Sequence, residues 1–125
     1  CNGKGIMPPG HPLAIGSTPS HPAIREEIER QADVVLAVGT ELAETDYDFF
    51  FLGDLNIQGK LIRIDIDSAQ LMRNHKPTQP IISETQQALD EINKQLPINS
   101  HRNSDAVYER YRKLRADTQD MKKSA

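Results

Sequence analysis

Two carboxylates stand two residues apart in Ile64-Asp-Ile-Asp67, at the end of an alternating apolar run. Acids at i and i+2 of a strand share a face, so the pair offers oxygens to a divalent cation or a ribose hydroxyl. Asp67 also suits the start of a following turn, and two carboxylates alone supply too few oxygens for a metal site. A second place with chemical potential is Val38-Gly-Thr-Glu-Leu42, where an apolar run ends in Gly39 and Thr40. Open α/β sheets bind ligands outside the carboxyl ends of their strands, and a glycine there lets a backbone or ligand approach closely. The plainer alternative is a tight turn with Thr40 capping the next segment. If a nucleotide binds, Gly39, Thr40, Asp65 and Asp67 are its candidate contacts. No residue is assigned a catalytic or metal-binding role.

Other motifs fall short of a chemistry. Asn2-Gly-Lys-Gly5 lacks the GxxxxGK[ST] spacing of a phosphate loop, and Pro8 occupies the third glycine position of a dinucleotide fingerprint. His11, His21, His75 and His101 form no metal-ligand spacing, and loop or surface roles are expected for them. There is no GxSxG nucleophile elbow, and Cys1 at a chain end is a poor nucleophile.

Positioning such residues requires a core, and 125 residues suffice for about one modest domain. A formal net charge of −3 argues against a nucleic-acid binder. The single cysteine forbids an intrachain disulfide. No apolar run approaches the roughly 20 residues of a membrane helix, and the opening residues lack a signal-peptide pattern, so a cytoplasmic location is expected. Residues 1–15, rich in glycine and proline and starting at Cys1, read as a loop in mid-domain, which predicts a piece of a longer chain.

Ser20 is the expected cap of a helix carrying Ile24, Ile28 and Ala32 inward, with Arg25, Glu26, Glu27, Glu29 and Arg30 facing water. Asp33–Val38 reads as a strand buried on both faces. Residues 40–60 form a long connection whose Phe49, Phe50 and Phe51 fit no clean face. Leu61–Ile66 is a second strand and Pro80–Ile82 a short third, with a helix over Ser68–Arg73 between them, capped by Asp67 or Ser68. Glu84–Leu96 is an amphipathic helix with Ala88, Leu89, Ile92 and Leu96 on one face, stopped by Pro97. Residues 97–103 form a polar linker. Ser104–Lys122 is a second amphipathic helix with Val107, Tyr111 and Leu114 as its stripe. This order predicts an α/β fold with a Rossmann-like parallel sheet flanked by helices. Three strands are few for such a sheet, so the fold reads as truncated at its N-terminus, with an open sheet edge that favours association.

Three segments in register resemble one family. Residues 2–16, Ala32–Thr40 and Gly59–Asp67 are similar to the "GKG…HPL" loop and to the "ADVVLAVGT" and "IHIDID" strands of the central domain of thiamine-diphosphate enzymes. These are the acetolactate synthase and 2-oxo acid decarboxylase relatives. The resemblance covers residues 2–96. It implies a parent with thiamine diphosphate and magnesium held by N- and C-terminal domains, and a central Rossmann-like (DHS-like) domain without catalytic groups. Residues 1–97 are then a partial central domain, and residues 98–125 a linker and helix leading toward a C-terminal domain. Gly53-Asp-Leu55 only mimics the family's metal motif, because Leu55 replaces its final glycine and Asn74 comes too early. Flavin-binding relatives carry an arginine where this chain has Glu41 and a Gly-Asp where it has Ser83-Glu84. An acid there repels a pyrophosphate, so no FAD is expected.

The functional expectation is a structural piece of a homo-oligomeric enzyme that decarboxylates 2-oxo acids or joins them in acyloin- or acetolactate-type carboligation. It implies a lyase or transferase parent and no activity in this chain alone. The alternatives are an independent nucleotide-binding module with a sirtuin-like NAD or FAD site, and a plain interaction domain docking through Ser104–Lys122. The first lacks the zinc cysteines and glycine-rich loop of sirtuins. Association with nucleic acid or a membrane is not expected.

Overall fold

A computed structural model describes residues 5–16, 19–97 and 104–124. The expected linker lies outside the described residues from 98 to 103, as do Cys1, the Asn2–Lys4 part of the opening loop, and His101. The elements run α1 (Pro22–Glu26), a π-helical turn (Glu27–Gln31), β1 (Val34–Val38), a 3-10 turn (Glu44–Asp46) and α2 (Phe49–Leu52). There follow β2 (Lys60–Asp65), α3 (Ser68–Leu71), β3 (Gln79–Ile82), α4 (Thr85–Gln95) and α5 (Ser104–Ser124).

The three strands form one parallel sheet in the order β1-β2-β3. Val34 pairs with Lys60 and Val38 with Ile64, while Ile62 pairs with Gln79 and Asp65 with Ile82. Paired residues of neighbouring strands share a face, so Val35, Ala37, Leu61 and Arg63 lie on one side. The central strand β2 carries the core, with Leu61, Arg63 and Ile64 all buried. β1 departs from its expected burial on both faces: Val34 and Leu36 are 52% and 43% exposed. The reason is position, since among the described residues β1 pairs on one side only.

Helix α3 packs on β2 and β3, α4 on β2, and α1 on α5. The stripe of α4 is buried at Ala88 and half-buried at Leu89 and Ile92, whereas Leu96, beyond the last turn, is exposed. On α5 the covered side is Tyr111, Leu114 and Thr118, and Val107 stands outside it. Two ties hold α5 down: Arg110 pairs with Glu27, and Arg115 Nη1 donates to the His11 carbonyl at 2.8 Å. The N-cap of α1 is His21 rather than Ser20, its Nδ1 accepting from the Ala23 amide at 3.2 Å.

Gly59 sets the approach of the chain to β2. A Cβ there would overlap the Ala32 carbonyl oxygen and sit 2.6 Å from that of Asp33. The close passage allows Lys60 N to donate to Asp33 O at 2.9 Å and so start the sheet.

Candidate functional site

The four candidate contacts gather at the carboxyl edge of the sheet. Gly39 follows β1 with φ 60 and donates its amide to Ile64 O at 2.9 Å, extending the strand pairing by one residue. A Cβ at Gly39 would meet no atom within 4 Å, so its φ and not crowding favours glycine. Thr40 Oγ1 accepts from the Leu42 amide at 3.2 Å. Asp65 Oδ1 accepts from the Asp67 amide at 2.9 Å, and Asp67 Oδ1 from the Ala69 amide at 2.8 Å, capping α3. Each of these side chains therefore satisfies a nearby backbone donor, the capping alternative for both motifs. Among the described residues no group of three or more His, Cys, Asp or Glu converges as a metal site does.

Beneath this edge lies a buried cation. Arg63, 2% exposed, donates from Nη2 to Thr40 O at 2.9 Å and from Nη1 to His75 O at 2.9 Å and Arg73 O at 2.5 Å. It joins the turn after β1 to the turn after α3, and Asn74 Nδ2 adds a bond to Glu41 O at 2.8 Å. Burial pulls the guanidinium down from its usual value, and Asp65 opposes the shift. A guanidinium stays charged in either case.

A second buried cation orders the long connection. Arg25, expected to face water, is buried. Its Nη1 donates to Tyr47 O at 3.0 Å, and its Nη2 to Gly53 O at 2.9 Å and to Asp54 O. Its Nε pairs with Glu29 Oε1 at 3.1 Å, and that same oxygen accepts the Asn56 amide at 2.8 Å. The helical pattern pointed Arg25 outward, but guanidinium donors matched to three carbonyls of residues 47–54 and to Glu29 outweigh its hydration. Tyr47, also buried, donates its hydroxyl to Asp54 Oδ1 at 3.2 Å and meets His75 edge-on, 5.4 Å between ring centres. Burial and the Asp54 hydrogen bond raise the Tyr47 phenol.

His75 is therefore no surface histidine. Its Nε2 is buried without a hydrogen-bond partner, 3.8 Å from Asp54 Oδ1. Burial lowers its pKa, Asp54 pulls it back up, and Arg63 adds to the lowering. A cavity of about 180 Å³ opens beside it, between Asn56, Leu61, Lys76 and Thr78. It lies at the amino ends of β2 and β3, away from Gly39 and Asp67. The one cue to these networks in the sequence was the arginine amid the alternating residues of β2.

A parallel sheet flanked by helices, with turns closed on the backbone at its carboxyl edge, defines a Rossmann-like α/β domain. Residues 1–92 match the family described as thiamine pyrophosphate enzyme, central domain, and the chain belongs to that family. The chain is similar to a probable 2-ketoarginine decarboxylase of Pseudomonas aeruginosa, 36% identical over 115 residues, 92% of this chain and 20% of that protein. It is also similar to probable acetolactate synthase large subunits. One, of Methanocaldococcus jannaschii, is 29% identical over 72% of this chain and 15% of that protein. The other, of Methanococcus aeolicus, is 31% identical over 75% of this chain and 16% of that protein. The chain thus spans a fifth or less of these relatives. No solved structure matches it.

Proposed function

We propose that residues 1–97 serve as a structural central domain, spacing and orienting N- and C-terminal domains that hold thiamine diphosphate and magnesium. Residues 98–125 lead toward the C-terminal one. The whole enzyme, a cytoplasmic homo-oligomer, acts on 2-oxo acids by decarboxylation or by acyloin- or acetolactate-type carboligation. A single observation carries this reading: the family match over residues 1–92, with a decarboxylase and acetolactate synthases among the relatives. The geometry supports the absence of chemistry in this chain. Asp65, Asp67 and Thr40 are engaged by backbone amides, and no acid cluster suits magnesium among the described residues. These residues do not fit the cofactor, and no reaction step is assigned to them.

Flavin is not expected, on grounds of charge. Glu41 is exposed at the carboxyl edge, and its carboxylate opposes a pyrophosphate there. Titration calorimetry of the chain with thiamine diphosphate and magnesium is expected to show no binding heat. Micromolar affinity would sink the scaffold reading. A yellow purified chain would separately overturn the expectation of no flavin.

A further inference from the structure

The two buried guanidiniums define two units, and a side-chain junction joins them. Arg25 ties residues 47–54 to α1. Arg63 ties the turn between α3 and β3 to β2, through the Arg73 and His75 carbonyls. The units meet where Tyr47 and Asp54 approach His75, whose ring lies edge-on to Tyr47 with 5.4 Å between centres. The cavity of about 180 Å³ follows the same seam, lined by Leu55 and Asn56 from the connection and by His75, Lys76 and Thr78 from the turn and the start of β3.

This junction suits a neutral imidazole and not a charged one. Asp54 Oδ1 already accepts the Tyr47 hydroxyl at 3.2 Å and the Leu55 amide at 2.9 Å. His75 Nε2 is buried without a hydrogen-bond partner and stands 3.8 Å from that oxygen, beyond hydrogen-bond reach. A protonated ring carries N–H on both nitrogens, and a buried charge without a partner is costly. Its Nε2 proton can reach Asp54 by displacing the Tyr47 hydroxyl, or solvent by swinging into the cavity, and either move breaks the junction. The charges around the ring are Asp54 from the connection and Arg63 from β2, with Arg73 and Lys76 flanking it in the turn. On the Tyr47 side stand Glu44 and Arg25, the latter 5.7 Å from the ring centre. Burial is the main cause that lowers the His75 pKa; Asp54 opposes it and Arg63 adds to it.

We propose that His75 is a proton-operated latch: neutral, it closes the Tyr47–Asp54 side of the connection on the turn between α3 and β3; protonated, it opens that seam while the three strands stay paired. Arg25 is the hinge, since its bonds to the connection do not involve His75. The moving part is residues 47–54, which carry the exposed Phe50 and Phe51. The surface that the domain presents there therefore changes with pH.

Amide exchange and ring-proton nuclear magnetic resonance of the 125-residue chain, from about pH 7.5 to about pH 5 and so across the ordinary imidazole value, test this. With the intrinsic effect of pH on exchange corrected for, the Leu55 amide loses protection as pH falls. The loss is up to about tenfold per pH unit between the ordinary value near 6.5 and the lowered folded one, and it levels off below. The amides of β2 keep their protection, and the Tyr47 and His75 ring signals shift with one midpoint. His75→Phe keeps an aromatic edge for Tyr47 and cannot take up a proton, so its Leu55 protection is independent of pH. A loss in β2 in step with Leu55 would overturn the latch, because the opening would be global. So would a wild-type Leu55 amide that stays protected through the His75 titration, or a pH dependence that survives His75→Phe.

Discussion

Replacing Arg25 with methionine keeps the apolar stem and removes every donor. Three carbonyls, of Tyr47, Gly53 and Asp54, lose their partner. Glu29 loses its cation but keeps the Asn56 amide at 2.8 Å. A hydrogen bond to a charged group contributes about 1.5–3 kcal/mol net, and breaking one side of a buried ion pair costs about 3–5 kcal/mol. These terms overlap, and the Glu29 side chain keeps 16% exposure. The expected loss is therefore about 3 kcal/mol, a large part of the roughly 5–15 kcal/mol that hold a domain together. In thermal melts followed by circular dichroism the midpoint should fall by about 10 °C. Hydrogen exchange should show why: the Asn56 and Gln58 amides, bonded to Glu29, lose protection before the β1–β2 ladder does. Arg25→Lys should recover less than half of the loss, because one ammonium cannot span both ends of the segment. A loss below about 1 kcal/mol, the size of an exposed ion pair, would refute the clamp.

Gly59→Ala should cost about 1–3 kcal/mol as an overpacked contact, since the new methyl meets the Ala32 and Asp33 carbonyls; urea midpoints equal to wild type would contradict the close passage. His75 should make stability pH-dependent. Its folded pKa is lowered, chiefly by burial, so the unfolded chain takes up its proton first as pH falls. The contribution is whole above the unfolded value of about 6.5 and drains away as pH drops through the folded value. In urea titrations across that window wild type should lose stability relative to His75→Phe as pH falls, and parallel curves would remove His75 as the cause.

Much of the framework was legible because its signals are local. The runs read as strands over Asp33–Val38 and Leu61–Ile66 became β1 at Val34–Val38 and β2 at Lys60–Asp65, and Pro97 bounded α4 as expected. Asp67 capped α3 because an aspartate before a short helix has one nearby amide to satisfy. The connection of residues 40–60 was illegible for the opposite reason. Its turn at Phe49–Leu52 has no periodicity, and it is fixed by an arginine more than twenty residues earlier in the chain. The helical pattern that placed Ile24 inward placed Arg25 outward, and only the approach of a distant backbone reversed it. His75 was hidden likewise, since its burial comes from Tyr47 across the same connection. At the carboxyl edge, both the ligand and capping readings were open for Thr40, Asp65 and Asp67, and the backbone bonds they make follow the capping one.

Both buried guanidiniums grip carbonyl oxygens, an atom that every residue carries. Arg25 and Arg63 between them hold positions 40, 47, 53, 54, 73 and 75 by main chain alone. At Tyr47 an anchor also meets the side chain, the Arg25 guanidinium lying 5.7 Å from the ring centre. A side-chain change at a gripped position does not by itself remove the carbonyl that Arg25 or Arg63 holds. A frame of this design fixes its turns through two side chains and leaves most of the gripped positions open in sequence.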